Sequence, residues 1–212
     1  MIISDSRIYK NKVKEIPPLT LLKDLTLNEA EKACLKDNLG KLTIIGIIDK
    51  EIAKPDNGVE RIYLIEVQLK DDCVPITFMT AFDMQTKAHT IFEVPWGANS
   101  IYYMANKTIK DGVVISMGSY YGTDPEHELM IDINDNETLS DIYANLYSFV
   151  IGLRRREDET ATDLENRSKK IKKLEKQVAK LERMSAKELN SNKRMEYNKN
   201  IRNLLEEIEK EE

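Results

Sequence analysis

Arg61-Ile62-Tyr63-Leu64-Ile65-Glu66-Val67-Gln68-Leu69-Lys70 alternates without a break. Arg61, Tyr63, Ile65, Val67 and Leu69 fall on one side of an extended chain. Ile62, Leu64, Glu66, Gln68 and Lys70 fall on the other, because successive side chains of a strand point to opposite faces. Upstream, Leu42-Thr43-Ile44-Ile45-Gly46-Ile47-Ile48 is a second β-type run, closed by Asp49. Pro55-Asp56-Asn57-Gly58 between them has turn chemistry, so the two runs predict an antiparallel hairpin.

Around that hairpin the pattern changes period. Thr26 and Glu29 have capping-box spacing and predict a helix with Leu27, Ala30, Cys34 and Leu35 on its apolar face. Gly40 is placed to end it as a C′ glycine. Residues 1–20 read as irregular, ending at Pro17-Pro18. Downstream, 75–87 predicts a helix burying Phe78, Met79 and Phe82. Strands follow at 90–94, 100–106 and 113–117, punctuated by Pro95-Trp96-Gly97 and Asp111-Gly112. Residues 138–153 form a further helix through Leu139, Ile142, Tyr143, Leu146 and Val150. The order α-β-β-α-β-β-β-α predicts an α+β fold, a mixed and mostly antiparallel sheet with flanking helices.

The chain divides near residue 153 into an α/β head, 1–153, and a helical tail, 154–212. Beyond Gly152 there is neither Gly nor Pro. Ile171, Leu174, Val178 and Leu181 recur at spacings of three and four, as do Tyr197, Ile201, Leu204 and Ile208. Each stripe needs a covering helix. The stripes are out of phase, and Ser185 to Glu188 has capping-box spacing. A hairpin of two helices, about 157–183 and 186–210, is therefore expected. One long helix pairing in a homo-oligomeric coiled coil is the alternative.

The net charge of −5 is unevenly distributed. Residues 1–150 carry 15 Lys and Arg against 23 Asp and Glu, and residues 151–212 carry 17 against 14. An acidic head argues against nonspecific nucleic-acid binding there, whereas the mildly basic tail leaves DNA contact open. No apolar run approaches a bilayer span, and the N-terminus lacks the pattern of a signal peptide. Cys34 and Cys73 have no metal-ligand spacing. Free thiols in a reducing, cytoplasmic compartment are the expectation.

One arrangement carries chemistry. Asp49 ends one strand and Gln68-Leu69-Lys70 ends the next, as in a PD-(D/E)xK nuclease core. There an acid and a second oxygen ligand hold Mg²⁺ and a lysine two residues on stabilises developing charge. Asp49 and Gln68 are the candidate metal ligands, Lys70 the candidate catalytic lysine that positions the attacking water or stabilises the charged transition state, and Glu66 an alternative acid. The competing reading makes Glu66, Gln68 and Lys70 the solvent-facing half of an amphipathic strand, with no cofactor at all. His89 and His127 have no ligand-spaced companions and are expected at or near the surface. Phosphate-binding glycine loops are absent.

Several segments together resemble a bacterial family, domain of unknown function 4391. They are Ile65-Glu66-Val67-Gln68-Leu69-Lys70, Asp83 in the following helix, Tyr120-Tyr121-Gly122-Thr123, Leu174 to Glu182, and Asn192-Lys193-Arg194-Met195-Glu196-Tyr197-Asn198. The chain departs from the family pattern at Thr86-Lys87-Ala88-His89 and at Gln68, where the family has Glu. The resemblance implies a subunit of a restriction-like or anti-phage defence assembly, found with helicases and methyltransferases; the apolar stripes and the lack of a strong catalytic motif make an accessory or adaptor subunit, with a helicase or methyltransferase as protein partner, the expectation. Within the tail, Asn192, Lys193, Arg194, Glu196 and Asn198 are the candidate partner-binding residues.

Overall fold

The computed structural model describes residues 2–3, 6–9 and 14–212. The fold comprises β1 (Ile2–Ile3), α1 (Ser6–Tyr9), β2 (Lys14–Ile16), α2 (Pro18–Asp24), α3 (Glu29–Asn38), β3 (Leu39–Asp49), β4 (Arg61–Leu69), α4 (Ile76–Gln85), β5 (His89–Trp96), β6 (Asn99–Lys110), β7 (Val113–Gly122), β8 (Met130–Ile131), α5 (Leu139–Ile151), α6 (Ala161–Lys187) and α7 (Ser191–Glu211). It is an α+β protein. Contacts divide it into two compact units, Met1–Gly152 and Leu153–Glu212.

The first unit is built on a six-stranded sheet of order β2-β3-β4-β5-β6-β7. All neighbours are antiparallel except β4 and β5, which run parallel. That one parallel pair exists because α4 carries the chain back between them. The alternation of β4 decides what covers each face. Ile65 and Val67 join Leu35, Phe78, Met79, Phe82 and Phe92 in a core under α3 and α4. The opposite face, with Ile62, Leu64, Ile91 and Met104 buried, is covered by α1 and α5. There Tyr102 meets Phe149 edge-on and Tyr121 meets Tyr147. Gly46 sits where a side chain would not fit, since a Cβ would lie 2.8 Å from Ile8 Cγ2 and 2.9 Å from Leu64 Cδ1.

Several expectations are corrected. The cap of α3 is Asn28, whose side chain accepts from Glu31 N at 3.0 Å while Glu31 accepts from Asn28 N at 2.7 Å. Thr26 instead exchanges backbone hydrogen bonds with the Gln85 side chain of α4, at 2.7 and 2.9 Å. Gly40 does not terminate a helix. It lies inside β3 at a register shift, where a Cβ would be 3.1 Å from Gln68 O, so a side chain there would push the strands apart by a few tenths of an ångström. Pro18–Asp24 is a helix, not irregular chain, with proline at its start, where its missing N–H costs nothing.

The second unit is a helical hairpin. α6 runs through Ser185, which does not cap a new helix. Its hydroxyl donates to Asn198 Oδ1 at 2.8 Å. The break comes at residues 188–190, and Asn190 caps α7 by accepting from Asn192 N and Lys193 N. Ile171, Leu174, Val178 and Ile208 are buried together, with Leu153, Ile201 and Leu204 against them. At the other end Lys170 pairs with Glu211 at 2.7 Å and Glu207 at 3.3 Å. The buried Arg167 joins Glu159 at 2.7 Å and the carbonyls of Arg154 and Glu211. The two stripes therefore cover each other within one chain, and the single long helix is not what forms.

Candidate functional site

The register of β3 on β4 separates the expected metal ligands. Asp49 lies opposite Arg61, whereas Gln68 lies opposite Lys41. Seven residues of strand between Arg61 and Gln68 place them about 23 Å apart, so Asp49 and Gln68 cannot share one cation. Asp49 instead accepts from Glu51 N at 3.0 Å and shapes the turn that follows β3. Among the described residues, no group of three His, Cys, Asp or Glu side chains is placed to hold a metal ion. The residues do not fit a Mg²⁺ site of the expected kind.

Gln68 and Lys70 do share one surface. With Asp71, Asp72 and Trp96 they line an open groove of about 500 Å³ where β4 ends beside the β5–β6 turn. Lys70 Nζ donates to Lys36 O, and Asn38 Nδ2 donates to Asp71 at 3.1 Å. Glu66 lies one pleat inward, and Gln68 Nε2 donates to its Oε1 at 2.9 Å.

From Glu66 a polar row crosses the sheet. Thr43, Glu66, Glu93 and Tyr102 are direct neighbours on β3, β4, β5 and β6. Thr43, Glu93 and Tyr102 are buried. Tyr102 OH donates to Glu93 Oε1 at 3.4 Å. Burial first, and then the Glu93 charge, pushes the Tyr102 phenol up to about 12. The phenol therefore stays a donor to the carboxylate at any physiological pH. Tyr102 also lines a small pocket with Ser100, His127 and Glu128.

A second polar cluster is enclosed beneath α4. Asp83 and Lys107 form an ion pair at 3.0 Å with both side chains fully buried. Lys107 Nζ also donates to Asp83 O at 3.1 Å and Thr86 O at 3.2 Å. Thr90 and Tyr120 both donate to the Asp83 carboxylate. Desolvation lowers the Lys107 pKa against the opposing pull of Asp83. Burial, and then Asp83, drives the Tyr120 phenol upward. One carboxylate thus ties α4 to β5, β6 and β7. His89 is buried, not near the surface. Its Nε2–H donates to Lys107 O at 3.0 Å and its ring meets Tyr143 at 4.2 Å. Burial, and then the Lys107 charge, lowers its pKa to about 4. Asp83 and Tyr120 stand in segments that carried the family resemblance. The sequence did not mark Lys107, Thr90 or His89 as their companions.

In the hairpin, the run 192–198 is divided. Asn198 is engaged with Ser185, and together with Arg194 it lines a groove of about 530 Å³ between α6 and α7. Asn192, Lys193 and Glu196 are exposed on the first turns of α7. The family model for domain of unknown function DUF4391 matches residues 8–208. The chain belongs to the DUF4391 family. No curated protein and no solved structure matches it. No described helix of this DUF4391 protein is long and apolar enough to cross a membrane.

Proposed function

We propose that this DUF4391 protein is a non-catalytic adaptor subunit of a restriction-like or anti-phage defence assembly in the bacterial cytoplasm. Its hairpin tip docks a helicase or methyltransferase. The observation that carries the reading is surplus apolar surface at one end of the hairpin. Leu189 is 100% exposed in the turn, between Met184 at 39% on the last turns of α6 and Met195 at 70% near the start of α7. All three lie outside the cluster of Ile171, Leu174, Val178 and Ile208 that joins the helices. Exposed apolar clusters beside flexible methionines suit protein docking. The partner class is what the family resemblance implies. The separation of Asp49 from Gln68 leaves the Mg²⁺-nuclease alternative without its paired ligands.

The test is co-expression with a helicase or a methyltransferase of the class the family resemblance implies, followed by size-exclusion chromatography. L189E/M195E alters only exposed positions and should leave the hairpin folded by circular dichroism. Buried apolar anchors are worth about 2 kcal/mol each, about thirtyfold in affinity, so co-elution should be lost. A complex that survives the double substitution unchanged removes the tip as the docking site.

A further inference from the structure

The outer face of α6 carries a second periodic pattern. Lys173, Lys176, Lys180, Arg183 and Lys187 follow one another at spacings of three, four, three and four. Each lies two residues beyond a position of the seam with α7: Ile171, Leu174, Val178, Leu181 and Ser185. Two residues turn a helix by about 200°, so the cations form a straight row on the side opposite α7. All five are exposed. No salt bridge pairs any of them among the described residues, whereas Lys169, four residues before the row begins, is held by Glu165 at 2.7 Å. The acids of this segment, Glu175 and Glu182, turn the other way and line the seam beside Leu205 and Ile208. The row is thus free of opposite charge over about 21 Å of helix. Like charges at these spacings destabilise a helix, so nothing in the hairpin's own folding calls for them.

We infer that this face of α6 is a binding surface for the phosphate backbone of a nucleic-acid duplex, read without regard to sequence. The inference does not rest on the docking role of the tip. A duplex is a linear polyanion with one charge per about 1.7 Å of axis, and a straight row of cations on a rigid helix matches it in shape and sign. Four of the five cations are lysines. Lysine neutralises phosphate as a point charge, whereas base recognition relies on the planar fork of arginine. An anionic membrane is the poorer match, because a surface-bound helix must insert an apolar face and that of α6 is already covered by α7.

Fluorescence anisotropy of the full chain with a labelled mixed-sequence duplex tests this. Neutralising five phosphates gives a slope of log affinity on log salt near −4.5, about a 500-fold loss between 50 and 200 mM. K173Q/K176Q/K180Q/R183Q should reduce that slope in magnitude by about 3.6, with the helical circular dichroism kept. K23Q/K50Q/K87Q/K110Q removes as many exposed lysines from the head and should leave the slope unchanged. A flat salt response of the parent chain, or equal losses in the two quadruple variants, would overturn the inference. Displacement of the duplex by poly-glutamate at equal charge concentration would assign the row to acidic protein instead. L189E/M195E should still bind duplex, so failure at the tip and failure along α6 are read separately.

Discussion

Replacing Lys107 with Met tests what holds the head together. The substitution keeps the aliphatic stem and removes the ammonium that donates to Asp83 Oδ1, Asp83 O and Thr86 O. Asp83 keeps Thr90 and Tyr120 as donors, but its charge is then buried without a cation. Breaking one side of a buried pair costs about 3–5 kcal/mol, and Thr86 O also loses the Lys107 donor, whereas Asp83 O keeps Thr86 N–H. With a urea m-value of about 2 kcal/mol/M, the unfolding midpoint followed by far-UV circular dichroism should fall by about 1.5–2.5 M. D83N/K107M should recover part of that loss, since no net charge remains inside, and the cycle should return a coupling energy of about 2 kcal/mol or more. A K107M loss under about 1 kcal/mol, or additivity in the cycle, would show that the pair does not hold α4 on the sheet.

Two further outcomes are expected. His89 has a folded pKa of about 4, below the ordinary 6.5. Its stabilising contribution is therefore complete above pH 6.5 and is lost as pH falls toward 4, a decline of about 3 kcal/mol at 1.36 per unit. Urea midpoints at pH 7 and 4.5 should converge more closely in H89Q than in the parent, and equal pH dependence would contradict the burial argument. Gly46→Ala places a methyl group against Ile8 and Leu64 and should cost about 1–3 kcal/mol by overpacking. A neutral result in thermal melts would mean that those side chains give way freely.

The parts of the fold that were legible in the sequence follow from periodicity. β4 announced both its faces, and the burial of Ile62, Leu64, Ile65 and Val67 follows the alternation. Helix ends were harder to read because two capping spacings competed locally. Asn28 prevailed over Thr26 once Gln85 took the Thr26 backbone. Ser185 was drawn into α6 because its hydroxyl found Asn198 on α7. Neither partner is near in sequence, so no local rule could decide. The same holds for the chemistry. Asp49 and Gln68 have plausible spacing along the chain, but the antiparallel register sends them to opposite ends of the β3–β4 pair. Lys107 lies just beyond the strand predicted at 100–106, and β6 in fact runs on to Lys110. The partner of Lys107, Asp83, lies 24 positions away on a helix, and only the β5–β6 excursion brings them together.

The distribution of ionisable groups bears on where this protein acts. Shifted titrations are a mark of active sites when the groups also face a cleft. In the head, Tyr102, Tyr120, Lys107 and His89 have displaced pKa values, but their hydrogen bonds all go to the protein's own residues beneath the helices. They fasten elements to one another. In the hairpin the reverse holds. The five cations of the α6 row and four large apolar side chains, Met184, Leu189, Met195 and Leu205, stand exposed on its two helices and the turn between them. A fold that encloses its chemistry and displays its charge and apolar surplus is suited to holding other molecules together. The tip and the outer face of α6 lie on that one hairpin, and the two proposed contacts are told apart by assaying L189E/M195E and K173Q/K176Q/K180Q/R183Q side by side.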